Sequence, residues 1–123
     1  MRILLIDDDQ QLLNAMAEFF NAGEYQVYCA CETEEAVAMV RHHRFDVVIL
    51  DLELNSIEGL DGFGVLKALR QSCPRTHVIV FSGHFSETVV EAALRHGGTK
   101  FIAKPASLRD LRAGVEEVCS LPC

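Results

Sequence analysis

Four apolar runs of strand length each end in a polar residue, and this repetition constrains the fold more than any other feature of the chain. Ile3-Leu4-Leu5-Ile6 runs into Asp7-Asp8-Asp9, and Val47-Val48-Ile49-Leu50 into Asp51. Val78-Ile79-Val80-Phe81 runs into Ser82, and Phe101-Ile102-Ala103 into Lys104-Pro105. Between the runs the apolar spacing changes to that of amphipathic helices. If the runs are parallel strands, their polar ends meet at one sheet edge, where open α/β folds bind ligands.

The rest of the chain fits that plan. Arg2 to Ile6 reads as the first strand. A helix follows with Leu12, Leu13, Met16, Ala17, Phe19 and Phe20 inward, stopped by a left-handed Gly23. Tyr25 to Ala30 reads as strand two, with Cys29 and Cys31 on one face. Thr33 then N-caps a helix carrying Ala36, Val37, Met39 and Val40. Strand three is Asp46 to Leu50, its unbroken apolar character suiting a strand covered on both sides. A loop with Asn55, Ser56, Gly59 and Gly62 leads to a helix with Phe63, Val65, Leu66 and Leu69, and Pro74 follows its end. Strand four is His77 to Phe81. Ser86 caps a helix bearing Val89, Val90, Ala92, Ala93 and Leu94, closed by Gly97. After strand five, Thr99 to Ala103, a Ser107/Asp110 capping box opens a helix with Leu108, Leu111, Val115 and Val118. This five-fold βα alternation predicts an α/β domain, a doubly wound parallel sheet with right-handed crossovers. Residues 1–119 form the domain and 120–123 a short tail.

Composition narrows the function. With 123 residues the chain is one domain that can bury a core without staples. A net charge of −7 argues against a nucleic-acid surface, which needs a basic stripe. Cys29, Cys31, Cys73, Cys119 and Cys123 make an odd count without a CxxC pair, which fits reduced thiols in a cytoplasmic protein. No apolar stretch reaches membrane-spanning length, and the first strand lacks the features of a signal peptide.

The strand ends carry the chemistry. Carboxylates gathered in one pocket repel each other unless a cation binds or their pKa values rise. All-oxygen ligands favour a hard cation such as Mg²⁺. A carboxylate can also act as a nucleophile and become an acyl phosphate, whose oxygens need a cation, a lysine and a hydroxyl donor.

Asp7-Asp8, Asp51, Ser82 and Lys104-Pro105, in this order and at these strand ends, resemble the receiver domain of two-component response regulators over nearly the whole chain. The resemblance implies the flavodoxin-like (βα)₅ fold with strand order 2-1-3-4-5, as in the chemotaxis receiver. It implies a phosphorelay module in which Asp51 accepts a phosphoryl group from a histidine kinase or phosphotransfer protein. Asp7, Asp8, Asp51 and the backbone carbonyl of Glu53 would hold Mg²⁺, with Mn²⁺ as an alternative. Ser82 and Lys104 would contact phosphoryl oxygens, and Phe101 stands at the family's aromatic switch. The signalling face would be the fourth helix, fifth strand and fifth helix, presented to an effector protein, an output domain or a second copy in a phosphorylation-dependent homodimer. The Lys104–Pro105 bond is often cis in the family. Such a module catalyses only its own phosphorylation and dephosphorylation and is no metabolic enzyme.

Some features depart from the family. Leu54-Asn55 replaces Met-Pro, the segment before Asp61-Gly62 is about three residues longer, Glu58-Gly59 is a rival alignment, and Gly97-Gly98 replaces Gly-Ala. Glu53 and His84 at the rim could tune phosphoryl lifetime. Two other readings stay open: a degenerate, phosphorylation-independent binding module, and a haloacid-dehalogenase-type phosphatase, whose DxD motif Asp7-x-Asp9 imitates. The phosphatase reading lacks that family's later acidic motif and its residue at Gln11. Asp9 reads as a helix cap.

Overall fold

The computed structural model describes residues 1–54, 62–83 and 86–121. Five strands and five helices alternate: β1 (Arg2–Ile6), α1 (Gln10–Asn21), β2 (Gln26–Ala30), α2 (Thr33–His42), β3 (Val47–Leu50), α3 (Gly62–Ser72), β4 (His77–Ser82), α4 (Glu87–Arg95), β5 (Lys100–Ala103) and α5 (Leu108–Cys119). All strand pairs are parallel, and the sheet order is β2-β1-β3-β4-β5. The doubly wound α/β expectation and its strand order therefore hold.

The two-residue period of the strands divides the core into two layers. Leu4, Ile6, Val48, Leu50, Val78 and Val80 pack against Ala36 and Val40 of α2, Val65, Leu66 and Leu69 of α3, and Ala93 of α4. Ile3, Leu5, Val47, Ile49, Ile79 and Phe81 pack against Leu13, Met16 and Phe20 of α1 and Leu111, Val115 and Val118 of α5. β1 and β3 are central and apolar on both faces, whereas β2 and β5 form the half-exposed edges.

Helix termini follow local chemistry, and the structure corrects several of the expectations. Asp9, Ser86 and Ser107 cap α1, α4 and α5 through their side chains, as the sequence predicts. Gly23 is not left-handed; α1 tightens instead, with Gly23 N–H donating to Phe20 O, so its end carbonyl needs no inverted residue. Thr33 is not a cap but the buried first residue of α2; the N-cap position falls on Glu32, and Glu35 reaches back to accept from Cys31 N–H at 2.9 Å. Asp110 does not complete a capping box, because its side chain is one methylene shorter than Glu; only Ser107 bonds, accepting from Asp110 N–H at 3.0 Å. Leu94 is 44 % exposed, since α4 lies at the sheet edge and buries only Ala93. Cys31 lies beyond β2, so it shares no strand face with Cys29. Gly62 belongs to α3 and not to the preceding loop. Asn55, Ser56, Glu58, Gly59, Asp61, His84, Pro122 and Cys123 lie outside the described residues.

Among the described residues no helix is long and apolar enough to cross a membrane. Cys29, Cys31, Cys73 and Cys119 are free thiols.

Candidate functional site

The sheet ladders run one residue past the apolar strands and fix the backbones of the site. Asp7 N–H donates to Ala30 O of β2 at 3.1 Å, and Asp51 N–H to Ile6 O of β1 at 3.0 Å. Lys104 N–H donates to Ser82 O of β4 at 3.0 Å. Three charged residues are thus anchored by main-chain bonds to neighbouring strands, and their side chains need only local rotamers to meet.

They do meet. Lys104 Nζ lies 2.8 Å from Asp7 Oδ2 and 3.2 Å from Asp51 Oδ2. The second oxygen of each carboxylate accepts a backbone bond two residues on: Asp7 Oδ1 from Asp9 N–H at 2.9 Å, Asp51 Oδ1 from Glu53 N–H at 3.0 Å. Asp7 is 1 % exposed and Asp51 4 %. Lys104 stretches back along the sheet, its ammonium 5.3 Å from the centroid of the Phe81 ring, which gives the side chain an aromatic shelf.

Asp8 is half-buried, and one of its carboxylate oxygens joins those of Asp7 and Asp51 within 4.8 Å of one another. Three carboxylates face one ammonium, an excess of negative charge that suits a divalent cation with oxygen ligands. Burial raises the Asp51 pKa above its ordinary 3.8; Glu53 N–H and Lys104 oppose the shift, and the Asp7 charge adds to it. For Lys104, burial favours the neutral amine, but the bonds and charges of Asp7 and Asp51 outweigh it and raise the pKa above 10.5.

The remaining predicted residues are distributed around this centre. Ser82 ends β4 fully buried, in register with Ala103. Phe101 is half-buried on β5, in register with Val80 on the sheet face that also carries Ser82, and packs against the α2–α4 core. Glu53 exposes its side chain while its backbone holds Asp51. Asp9 is the α1 cap and accepts from Gln11 and Leu12 N–H. The Lys104–Pro105 bond is cis.

Gly62 is a site-shaping residue that the sequence showed only as a loop glycine. A Cβ there would lie 2.4 Å from Leu52 Cα and 2.8 Å from Asp51 O, and Gly62 N–H donates to Leu52 O at 3.1 Å. The start of α3 therefore presses directly on the segment that carries Asp51. Phe81 was visible only as a core residue, because its contact with Lys104 depends on β4–β5 register.

A model of the response regulator receiver domain family matches residues 3–116. The chain is 32 % identical over 97 % of its length to the tetrathionate response regulatory protein TtrR of Salmonella typhimurium, of which it covers 56 %; it spans about half the length of that relative. It is 27 % identical over 98 % of its length to sporulation initiation phosphotransferase F of Bacillus subtilis, covering 94 % of that protein. The non-phosphorylated HemR receiver domain of Leptospira biflexa superposes with a TM-score of 0.90 at 27 % identity, over 99 % of this chain and 96 % of that one. From its sequence to its fold, the chain belongs to the response regulator receiver domain family.

Proposed function

We propose that Asp51 accepts a phosphoryl group from a phosphohistidine of a histidine kinase or phosphotransfer protein, and that residues 1–119 form the working receiver. The observation that carries this reading is the convergence of Asp7, Asp51 and Lys104, with Nζ 2.8 and 3.2 Å from the two carboxylates. One Asp51 oxygen attacks phosphorus, the P–N bond breaks, and the imidazole nitrogen keeps the electron pair and takes up a proton. Lys104 keeps Asp7 and exchanges Asp51 Oδ2 for a phosphoryl oxygen. Glu53 N–H holds the other Asp51 oxygen in place. Ser82 contacts a second phosphoryl oxygen and draws Phe101 inward behind it, changing the α4–β5–α5 face offered to an effector, an output domain or a second copy.

The donor set of Asp7, Asp8 and Asp51 fits a hard divalent cation. These residues and the Glu53 carbonyl would hold Mg²⁺, or Mn²⁺ in its place. The bound cation would neutralise charge on the phosphoryl oxygens.

Intact-mass measurement after incubation with Mg²⁺ and a small phosphodonor tests the reading. A single cation-dependent phosphoryl adduct is expected, absent from Asp51→Asn. No adduct and no beryllofluoride binding would identify a phosphorylation-independent module instead. Steady turnover that needs Asp7 would identify a phosphatase.

A further inference from the structure

The opposite pole of the sheet, at the amino ends of the strands, holds a cavity of about 510 Å³. The α2–β3 turn, the α3–β4 turn and the end of α5 line it, and it opens to solvent. Its volume lies within the range of small-molecule sites. Met1, Phe45 and Pro74 supply apolar wall, and Arg44, Arg75 and His77 line the same space.

The polar groups of the wall divide into committed and uncommitted sets. Thr76 Oγ1 donates to Phe45 O at 2.7 Å, Cys73 Sγ donates to Val40 O at 3.4 Å, and Asp46 Oδ2 accepts from Arg2 N–H at 2.7 Å. Arg44 and Arg75 are exposed and make no ion pair or hydrogen bond among the described residues. Basic residues after helix ends ordinarily answer the helix dipole. Arg70 stands in the last turn of α3, and its guanidinium is held by the following turn, donating to Pro74 O at 2.9 Å and to Thr76 O at 2.8 Å. Arg75 is left over, and Arg44 donates to no carbonyl of α2. Two free guanidiniums in a chain of net charge −7 are a local inversion of its electrostatics.

We propose that this cavity binds a small phosphate monoester with an apolar body, the phosphate between Arg44 and Arg75 and the body against Phe45 and Pro74. Two guanidiniums match the near-dianionic charge of a phosphate monoester, and their forked donors match its oxygens. Among the described residues of the lining Asp46 is the one acidic side chain, and it accepts from Arg2 N–H. The site is separate from the Asp51 edge, and the proposal does not depend on phosphorylation.

Amide chemical shifts of the whole chain test it, in chelator without divalent cation, with phenyl phosphate, inorganic phosphate and phenol as probes. Saturable shifts in residues 44–46 and 73–77 are expected, tightest for phenyl phosphate and absent for phenol. An Arg44→Gln/Arg75→Gln variant, altered only at exposed positions, should keep its thermal midpoint and bind phenyl phosphate at least about tenfold more weakly. No saturable shift at millimolar probe, or shifts centred on residues 7–9 and 104, would overturn the proposal. So would undiminished binding by the double variant. Equal affinity for phosphate and phenyl phosphate would remove the apolar half of the site.

Discussion

Asp51 is buried with its carboxylate between Glu53 N–H and Lys104, and burial nevertheless dominates and raises its pKa. Folding therefore disfavours the charged carboxylate of Asp51 relative to the unfolded chain. The contribution of protonated Asp51 to stability is full below the ordinary value of 3.8 and is lost as pH rises through the raised folded value. Asp51→Asn removes that charge while keeping the shape. In chelator at neutral pH it should raise the thermal midpoint, and the advantage should shrink as pH falls toward 4. A melting series of both proteins across pH checks this; an unchanged midpoint at pH 7 would contradict it. Gly62 makes a second residue-scale case. Its Cβ position falls 2.4 Å from Leu52 Cα, and backbone cannot yield as a flexible side chain would. Gly62→Ala should cost on the order of 3 kcal/mol by overpacking. Urea unfolding measures the cost, and the displaced Asp51 segment should also weaken divalent-cation binding.

At the scale of elements, each strand-to-helix connection has its own device, and the joint between α3 and the α4–β5 turn depends on a pair of residues far apart in sequence. Gly97 has φ +114°, and a Cβ there would sit 2.5 Å from Arg70 Nε. Arg70 cannot retreat freely, since both terminal nitrogens are held by Pro74 O and Thr76 O. Gly97→Ala combines backbone strain with this clash and should destabilise by about 3 kcal/mol. In an Arg70→Ala background the clash is gone, and the same substitution should cost only the backbone share, about 1–2 kcal/mol. The four corners of that cycle, followed by denaturant unfolding, give the coupling directly.

At the scale of the whole molecule, two sites of opposite charge stand at opposite ends of the strands. Asp7, Asp8 and Asp51 gather at the carboxyl edge, while Arg44 and Arg75 stand with Asp46 at the amino edge. A divalent cation held at the carboxyl edge as proposed would bind only the folded state, so it should stabilise by about 2.7 kcal/mol at roughly a hundred times its dissociation constant. Thermal shift with Mg²⁺ should show this in the wild type and lose most of it in Asp8→Asn. At strongly alkaline pH a different loss is expected: Lys104, with its pKa raised above 10.5, supplies stability that persists below that value and disappears above the folded one.

The sequence alone determined the alternation of elements, the parallel sheet, the two-sided cover of β3, and the identities of Asp7, Asp51 and Lys104. Those features follow from periodicity and from chain order, which are local. Caps were legible where one side chain decides them, as at Asp9, Ser86 and Ser107. They were misread at Gly23 and Thr33, where a tightened turn and a buried first-turn residue settled the outcome. Leu94 looked inward by spacing, yet α4 lies at the sheet edge and leaves it exposed. Only the tertiary structure decided that Lys104 bridges two carboxylates over Phe81, that Gly62 presses on Leu52, and that Arg70 rather than Arg75 is held by the α3–β4 turn. Each of these joins residues distant in the chain, and their meeting is set by strand register and helix docking, which no local pattern encodes.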